Sequence, residues 1–520
     1  MGTETILNYP AGLTLKKSAI RLRLARLKRP DSMHLARNIV GPIVVGLALG
    51  AVLVYARRLP SKWAGLVTLA TMAPTVVLLA KDMRKLLLIT LVVDIPLGLD
   101  ITLGGGIGHL GGAGGFEISL MTMVLVAGYA LWLTNRPVGG KPKVYTHKDI
   151  TMPALVYLFT MLVSAFQAVD VRLSITQLFL EVQFFLMYFY VINHVKGWAS
   201  VRLIFTTLVV CLLLESLVML LQYFTGFQFS GSAIRTLATR GVLVSASSRV
   251  GGTMRSPNAA ATYLAASLAI TFAAYLTDNR LVNKRLALTA LLTGAAALVT
   301  TQARSGWTGF VVAMLILAAQ ALRKHIGVKA ILLFCIVAVL IGAGFSTQIK
   351  ERLTTDDYDS AESRIWHAKL AFNILNDRNY MFTGVGLNNL WLVMRDYLPL
   401  EMMGRTHLHV IHNKYLIIWT ETGLFGLLSF LWLLLAGGRR ALQSLMRTKD
   451  AYVSIIITGL LAALVVCLLL MASYHFAGRM RPQMIWFILA LIAATSQLDK
   501  ETEGLGAPVK AQQLERPSHL

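Results

Sequence analysis

Apolar stretches long enough to cross a bilayer recur along almost the whole chain. A spanning helix needs about 20 mostly apolar residues, and about 17 suffice. Such runs lie near 39–56, 63–80, 85–100, 117–134, 152–169, 173–193, 202–223, 258–277, 285–303, 306–322, 329–346, 412–436, 452–474 and 482–497. They exclude a soluble fold with a single anchor. With 56% of residues hydrophobic and 14% charged, the apolar side chains cannot all face one interior while the surface stays polar. The expected fold class is all-α, a polytopic membrane protein with about 12–14 transmembrane helices. Cys211, Cys335 and Cys467 each sit inside an apolar run, so they form no disulfide framework and read as packing residues.

Charge supplies the orientation. The chain carries 49 Lys and Arg against 25 Asp and Glu, a net +24. In a soluble protein that excess would suggest nucleic acid; here basic cytoplasmic loops come first. Lys16, Lys17, Arg21, Arg23, Arg26, Lys28, Arg29 and Arg37 precede the first run, and alternate connections around 81–85, 136–148, 280–285, 323–329 and 439–449 are basic too. An even number of spans puts these loops and both termini on the cytoplasmic side. The Arg57–Lys62 connection departs from the pattern. Segment 15–29 interleaves Leu and Ile with bases, which reads as a surface helix on anionic lipid rather than a nucleic-acid binder. No cleavable signal peptide is expected at the N-terminus. The chain divides into a cytoplasmic basic amphipathic segment (1–38), N-terminal spans (39–223), an external Arg-rich loop (224–257), further spans (258–346), a large external loop (347–411), C-terminal spans (412–497) and a disordered cytoplasmic tail (498–520).

Two external segments depart from simple connection. Loop 224–257 contains Arg235, Arg240, Arg249 and Arg255 and no acid, on the side where few cations are expected. Loop 347–411 balances seven Lys/Arg with eight acids. The unbalanced arginines point to an anion, since guanidinium grips phosphate bidentately; the alternative is contact with lipid headgroups. In the large loop Asp359 and Glu362 form an N-cap signature, and Trp366, Leu370 and Ile374 repeat at helical spacing. A small helical external subdomain follows. Arg304 falls at a tight external turn between two spans, where a charge near hydrocarbon has a partner, a function or a snorkelling headgroup contact. Ser256-Pro257 is a helix start that would add positive potential beside Arg249 and Arg255. Glu181 and Glu215 interrupt apolar runs at similar depth on successive spans, to line a polar cavity or to pair with Arg. His407, His409 and His412 lead into a span without HExxH, paired Cys or any nearby acid except Glu401, so no metal is expected; one imidazole could serve as a general base. Nothing in the Gly-rich tract 104–115 or at Gly384-Val385-Gly386 makes a nucleotide loop, and no cofactor is expected.

Four stretches resemble the O-antigen ligase and O-antigen polymerase superfamily of bacterial membrane glycosyltransferases. They are SSRVGGTMRSPNAAATYLA, TTQARSGWTGF, SRIWHAKLAFNILNDRNYMFTGVGLNNL and HNKYLIIWTETGLFGLLSFL, covering roughly residues 230–435. In the second, Arg304 precedes Ser305, the reverse of the family order. The resemblance implies a GT-C-type fold with a large periplasmic loop, in the bacterial inner membrane. It implies a donor glycan on undecaprenyl pyrophosphate and an acceptor hydroxyl on lipid A–core or on another glycan. Membrane lipids and polysaccharide-assembly proteins would be further partners. By matched position Arg249 and Arg304 would bind pyrophosphate, His412 would be catalytic, Glu421 would support the head of its helix, and Arg364 and Asn413 would contact substrate. Arg235, Arg240 and Arg255 would extend the anion site, and Glu181 and Glu215 its cavity. The expected reaction is a metal-independent, inverting transfer, with chain polymerisation slightly favoured over ligation. The alternative from another class is a multi-span transporter or lipid-linked-glycan flippase; the halves show no internal repeat of the kind transporters often carry.

Overall fold

The computed structural model describes residues 82–104, 112–134, 144–226, 249–254, 256–277, 281–328, 331–332, 342–347, 350, 358–398, 411–476 and 478–504. The expected runs 39–56 and 63–80, the basic segment 15–29, Arg235, Arg240, Arg255, His407, His409 and most of 329–346 lie outside them. What is described belongs to one compact unit, and it is almost entirely helical.

In chain order the long helices are α1 (Met83–Leu97), α2 (Leu120–Thr134), α3 (Lys148–Ser164), α4 (Val171–His194), α5 (Trp198–Thr225), α6 (Pro257–Leu276), α7 (Lys284–Thr300), α8 (Arg304–Arg323), α9 (Tyr358–Asn376), α10 (Lys414–Arg447), α11 (Ala451–Met471) and α12 (Met480–Gly504). α3, continued by one 3-10 turn, α4, α5, α6, α8, α10 and α11 are long and apolar enough to cross a membrane. The chain is therefore a polytopic membrane protein. Helices suit that setting because each satisfies its own backbone polar groups, which lipid cannot do.

Two elements differ from the sequence expectation. The run beginning at 117 is not helical throughout: Phe116–Ser119 forms β2, paired antiparallel with β1 (Asp100–Leu103), and the helix starts at Leu120. Ser119 and Thr122 bond reciprocally across that junction and set the helix start. In the external segment α9 is already helical at Tyr358, so Asp359 lies inside the helix and not at its cap.

α6 forms the centre of the bundle, with its window wholly buried. Ala259, Ala260, Ala261, Ala265, Ala266, Ala269, Ala273 and Ala274 line it, and small residues let neighbouring helices approach closely. Gly306 of α8 meets Ala261, and Gly459 of α11 meets Ala273, each so closely that an added Cβ would collide. A second, smaller core lies over one end of the bundle. Leu370, Ala371 and Ile374 of α9 pack there with Val385, Leu390 and Ile417, as the helical spacing of 370 and 374 predicted.

One break positions the site. α10 is interrupted at Gly423, whose φ of 70° and ψ of −176° leave the helix. The interruption frees carbonyls that the helix would otherwise use. The loop after a short helical turn at Tyr380–Thr383 supplies the missing donors: Val385 N–H bonds Thr420 O (2.8 Å) and Gly386 N–H bonds Glu421 O (3.1 Å). Gly384, at φ 73°, presses on the Glu421 carbonyl, and Gly423 presses on that of Phe382, leaving no room for a Cβ on either.

Candidate functional site at the bundle end

Several helix termini meet at one end. α6, α8, α10 and α12 begin there and α7 and α11 finish there, as the bonds between their connections establish. Arg249 Nε donates to Thr301 O (3.0 Å) and its Nη2 to Asn258 Oδ1 (2.8 Å), which ties the segment before α6 to the α7–α8 turn. Val250 N–H reinforces the tie by donating to Thr300 O (3.2 Å). The next residues of that turn are Arg304 and Ser305, the first of α8. Ser305 Oγ donates to the Tyr474 hydroxyl (2.6 Å) in the α11–α12 connection. His475 follows, its ring centroid 5.4 Å from that of His412. His412 in turn meets His367 of α9 at 6.3 Å.

Arg249, Arg304 and His412, from three separate stretches of sequence, thus lie on connections joined to one another at one end of the bundle. Arg304 at the first position of α8 also brings that helix's N-terminal partial charge. His412 is partly exposed, as a reacting group must be, whereas His367 is buried at 3% exposure. Arg364 sits one turn before His367 on α9 and is exposed. Lys414, at the start of α10, lies within electrostatic reach of His475, Glu181 and Glu421. Burial, with Arg481, His412 and Lys414 nearby, pushes His475 down to about 3, which favours the neutral ring.

Other predicted contacts have internal duties. Asn413 is the N-cap of α10, its Oδ1 accepting from Tyr415 N–H and Leu416 N–H at 3.0 and 3.1 Å. Glu421 is buried, with its carboxylate taking the backbone N–H groups of Asn388 and Leu390. Its backbone carbonyl also takes the Gly386 N–H at the break in α10. Asn389, the asparagine of the Gly-x-Gly-x-x-Asn stretch, is fully buried and bonds Asp170, Ser174 and Leu387, which staples the same loop to the start of α4.

Glu181 and Glu215 are both buried, at 3% and 4% exposure, and accept hydrogen bonds from neutral groups. Glu215 accepts from Thr253 N–H (2.8 Å) and Thr253 Oγ (2.7 Å), which holds the Gly251-Gly252-Thr253 turn four residues beyond Arg249. Glu181 accepts from Gln177 Nε2 (3.3 Å) and from Trp486 of α12. They serve different neighbours because α5 packs against α7, α1 and α6, whereas α4 packs against α12 and α2.

Sequence reasoning missed the α11–α12 connection altogether. Besides Tyr474 and His475 it carries Arg479, whose guanidinium is paired with Asp94 of α1 (Nη2 to Oδ1 3.2 Å) and bonded to Gln483 (2.7 Å). Asp94 is 0% exposed and Arg479 3%. The signal was present: two arginines, Arg479 and Arg481, stand in a short connection on the side predicted to be poor in cations. Among the described residues no three His, Cys, Asp or Glu side chains converge as metal ligands.

Residues 288–431 match the family model described as O-antigen ligase. That stretch of the chain is similar to the O-antigen ligase family. The match covers three of the four stretches and supports the resemblance to the O-antigen ligase and polymerase superfamily. No curated protein matches the chain. The matched stretch contains Arg304, Arg364, His412, Asn413 and Glu421. Arg249 and His475 lie outside it, one on each side in sequence, and both pack onto its end.

Proposed function

We propose that the protein is a glycosyltransferase of the bacterial inner membrane, moving a glycan from undecaprenyl pyrophosphate to an acceptor hydroxyl at the periplasmic face. The observation that carries this reading is the series of contacts that joins the connections bearing Arg249, Arg304 and His412, beside a stretch similar to the O-antigen ligase family. The arginine-bearing connections face the periplasm in this reading, and both termini face the cytoplasm, as the basic loops favour.

The chemistry asked of the site is a displacement at the anomeric carbon. His412 takes the proton of the acceptor hydroxyl. The hydroxyl oxygen forms the new bond to the anomeric carbon while the bond to the pyrophosphate oxygen breaks, and the electron pair leaves with the pyrophosphate. Arg249 and Arg304 carry the charge that develops there. Fixed donors of this kind contribute on the order of 10²–10³-fold, and a positioned base roughly 10²–10⁴-fold. One direct displacement inverts the anomeric centre and needs no covalent glycosyl-enzyme.

An apolar cleft of about 560 Å³ between α3 and α10 supports a lipid-linked donor. Phe159, Val163, Phe425, Leu428 and Trp432 line it beside the break in α10, a surface suited to an isoprenoid chain. The test is reconstitution of the full chain with undecaprenyl-pyrophosphate glycan, offering lipid A–core in one arm and a second lipid-linked glycan in the other. Chain growth in the second arm is the expected result, and ligation in the first would make the protein a ligase. No transfer in either arm, or a trapped glycosyl adduct on the protein, would overturn the proposal.

A further inference from the structure

The connection from α11 to α12 is fastened at both ends. Tyr474 is bonded to Ser305, next to Arg304. Arg479 is locked by Asp94 and Gln483 inside the bundle. Arg481, only 7% exposed, stands 5.2 Å from the ring of Phe476. His475 is held between these fastenings, with its ring at 62° to that of His412. Its Nδ1 is buried and meets no hydrogen-bond partner among the described residues. Buried polar atoms are nearly always satisfied, so an orphan beside a candidate catalytic residue is a place for a ligand atom.

The surroundings choose the ligand. Arg481, Lys414 and His412 are the charged and titratable groups that bear on His475, and Arg304 lies beyond the Ser305–Tyr474 bond. A nitrogen in that company is best matched by an anionic oxygen and poorly by a second donor.

We propose that His475 is a substrate-contacting residue whose Nδ1–H donates a hydrogen bond to a non-bridging oxygen of the donor's pyrophosphate. This rests on the glycosyltransferase reading above and adds a third element of the pyrophosphate site, from a connection outside the matched stretch. Because burial and adjacent cations favour the neutral ring, it donates without placing another charge against His412. That matters at the moment His412 acquires a proton, when a cationic neighbour would oppose it.

The experiment compares three variants of the full-length protein in nanodiscs. His475→Phe keeps a ring without nitrogen, His475→Asn places an N–H near the Nδ1 position, and His475→Gln places one near Nε2. Binding of undecaprenyl pyrophosphate, without glycan, is measured beside steady-state transfer. The expected result is that His475→Phe and His475→Gln weaken pyrophosphate-lipid binding and raise donor KM about tenfold, leave acceptor KM unchanged, and that His475→Asn restores most of both. Binding by His475→Phe within twofold of wild type, an effect confined to acceptor KM, or His475→Asn no better than His475→Gln would overturn the assignment. Should His475→Phe fail to fold, the Asn and Gln pair decides by itself. Wild-type protein that binds the lipid but transfers nothing would defeat the glycosyltransferase reading and leave the binding comparison intact; wild-type protein that does not bind it defeats both.

Discussion

The two ends of the bundle use arginine in opposite ways. At the end away from the site, Arg440 of α10 is 9% exposed and grips Asp149 of α3 at 2.8 and 2.7 Å, with His147 Nδ1 at 3.0 Å. Nearby, Tyr145 donates to Glu501 (2.9 Å), and Asp499 accepts from Thr448 (2.8 Å) and Ser444 (3.3 Å). Arginine there is answered by a carboxylate and joins helices. At the site end Arg249 is oriented by neutral acceptors, the Thr301 carbonyl and the Asn258 amide. Those two acceptors fix the plane of the guanidinium. Arg479 shows that the distinction belongs to the residue rather than the end: it lies in the site's own connection, yet Asp94 neutralises it. Carboxylate pairing joins helices at Arg440 and Arg479, whereas the contacts of Arg249 to Thr301 and Asn258 tie the segment before α6 to the α7–α8 turn.

The strongest way to break this comparison is to remove the groups assigned to chemistry. His412→Ala is expected to lower the transfer rate roughly 10²–10⁴-fold, and Arg304→Ala on the order of 10²–10³-fold, both with unchanged thermal stability. Activity of either within threefold of wild type would remove it from its role. Asp94→Asn tests the carboxylate pairing. Breaking a buried ion pair costs about 3–5 kcal/mol because the remaining charge stays buried, so unfolding temperature should fall sharply. An unaltered unfolding temperature would show that the Arg479 contact is not structural. Arg249→Lys sharpens the comparison further: lysine cannot keep both neutral contacts of the guanidinium, so donor KM should rise about tenfold with stability preserved.

The smallest effect concerns pH at the opposite end. Burial, followed by the Arg440 charge, pushes His147 down to about 4. The folded protein holds it neutral while the unfolded chain binds a proton below about 6.5. Stability therefore rises with pH between about 4 and 6.5, and acidification from 6.5 to 5 should cost about 2 kcal/mol from this group. Thermal unfolding of His147→Gln should show a flatter acid limb than wild type; an identical limb would assign the acid sensitivity elsewhere.

Much of this was legible in the sequence. The helices from 152 to 323 and at 452–474 appear within a few residues of their expected bounds, because hydrophobic length is a local property, whereas those expected at 412–436 and 482–497 run on to Arg447 and Gly504. Arg304 stood out by the same local logic, as a charge between two apolar runs. The pairing of Asp94 with Arg479, 385 positions apart, has no local signature at all. Equal depth on consecutive helices does not say which neighbours Glu181 and Glu215 have, because α4 and α5 turn to different partners. His475 was overlooked although its connection is basic and on the cation-poor side, since a lone histidine says nothing until its neighbour is known.

The break at Gly423 has a consequence for how the protein matures. The half of α10 beyond it can insert as an ordinary apolar span. The half bearing Lys414 to Thr420 ends on carbonyls that Val385 and Gly386 must satisfy, so it settles only against a loop already delivered to the same side of the membrane. The α11–α12 connection emerges later still and sets His475 against His412. Assembly of the candidate site thus waits on this connection, and the helices that precede it can pack while the site is still unfinished.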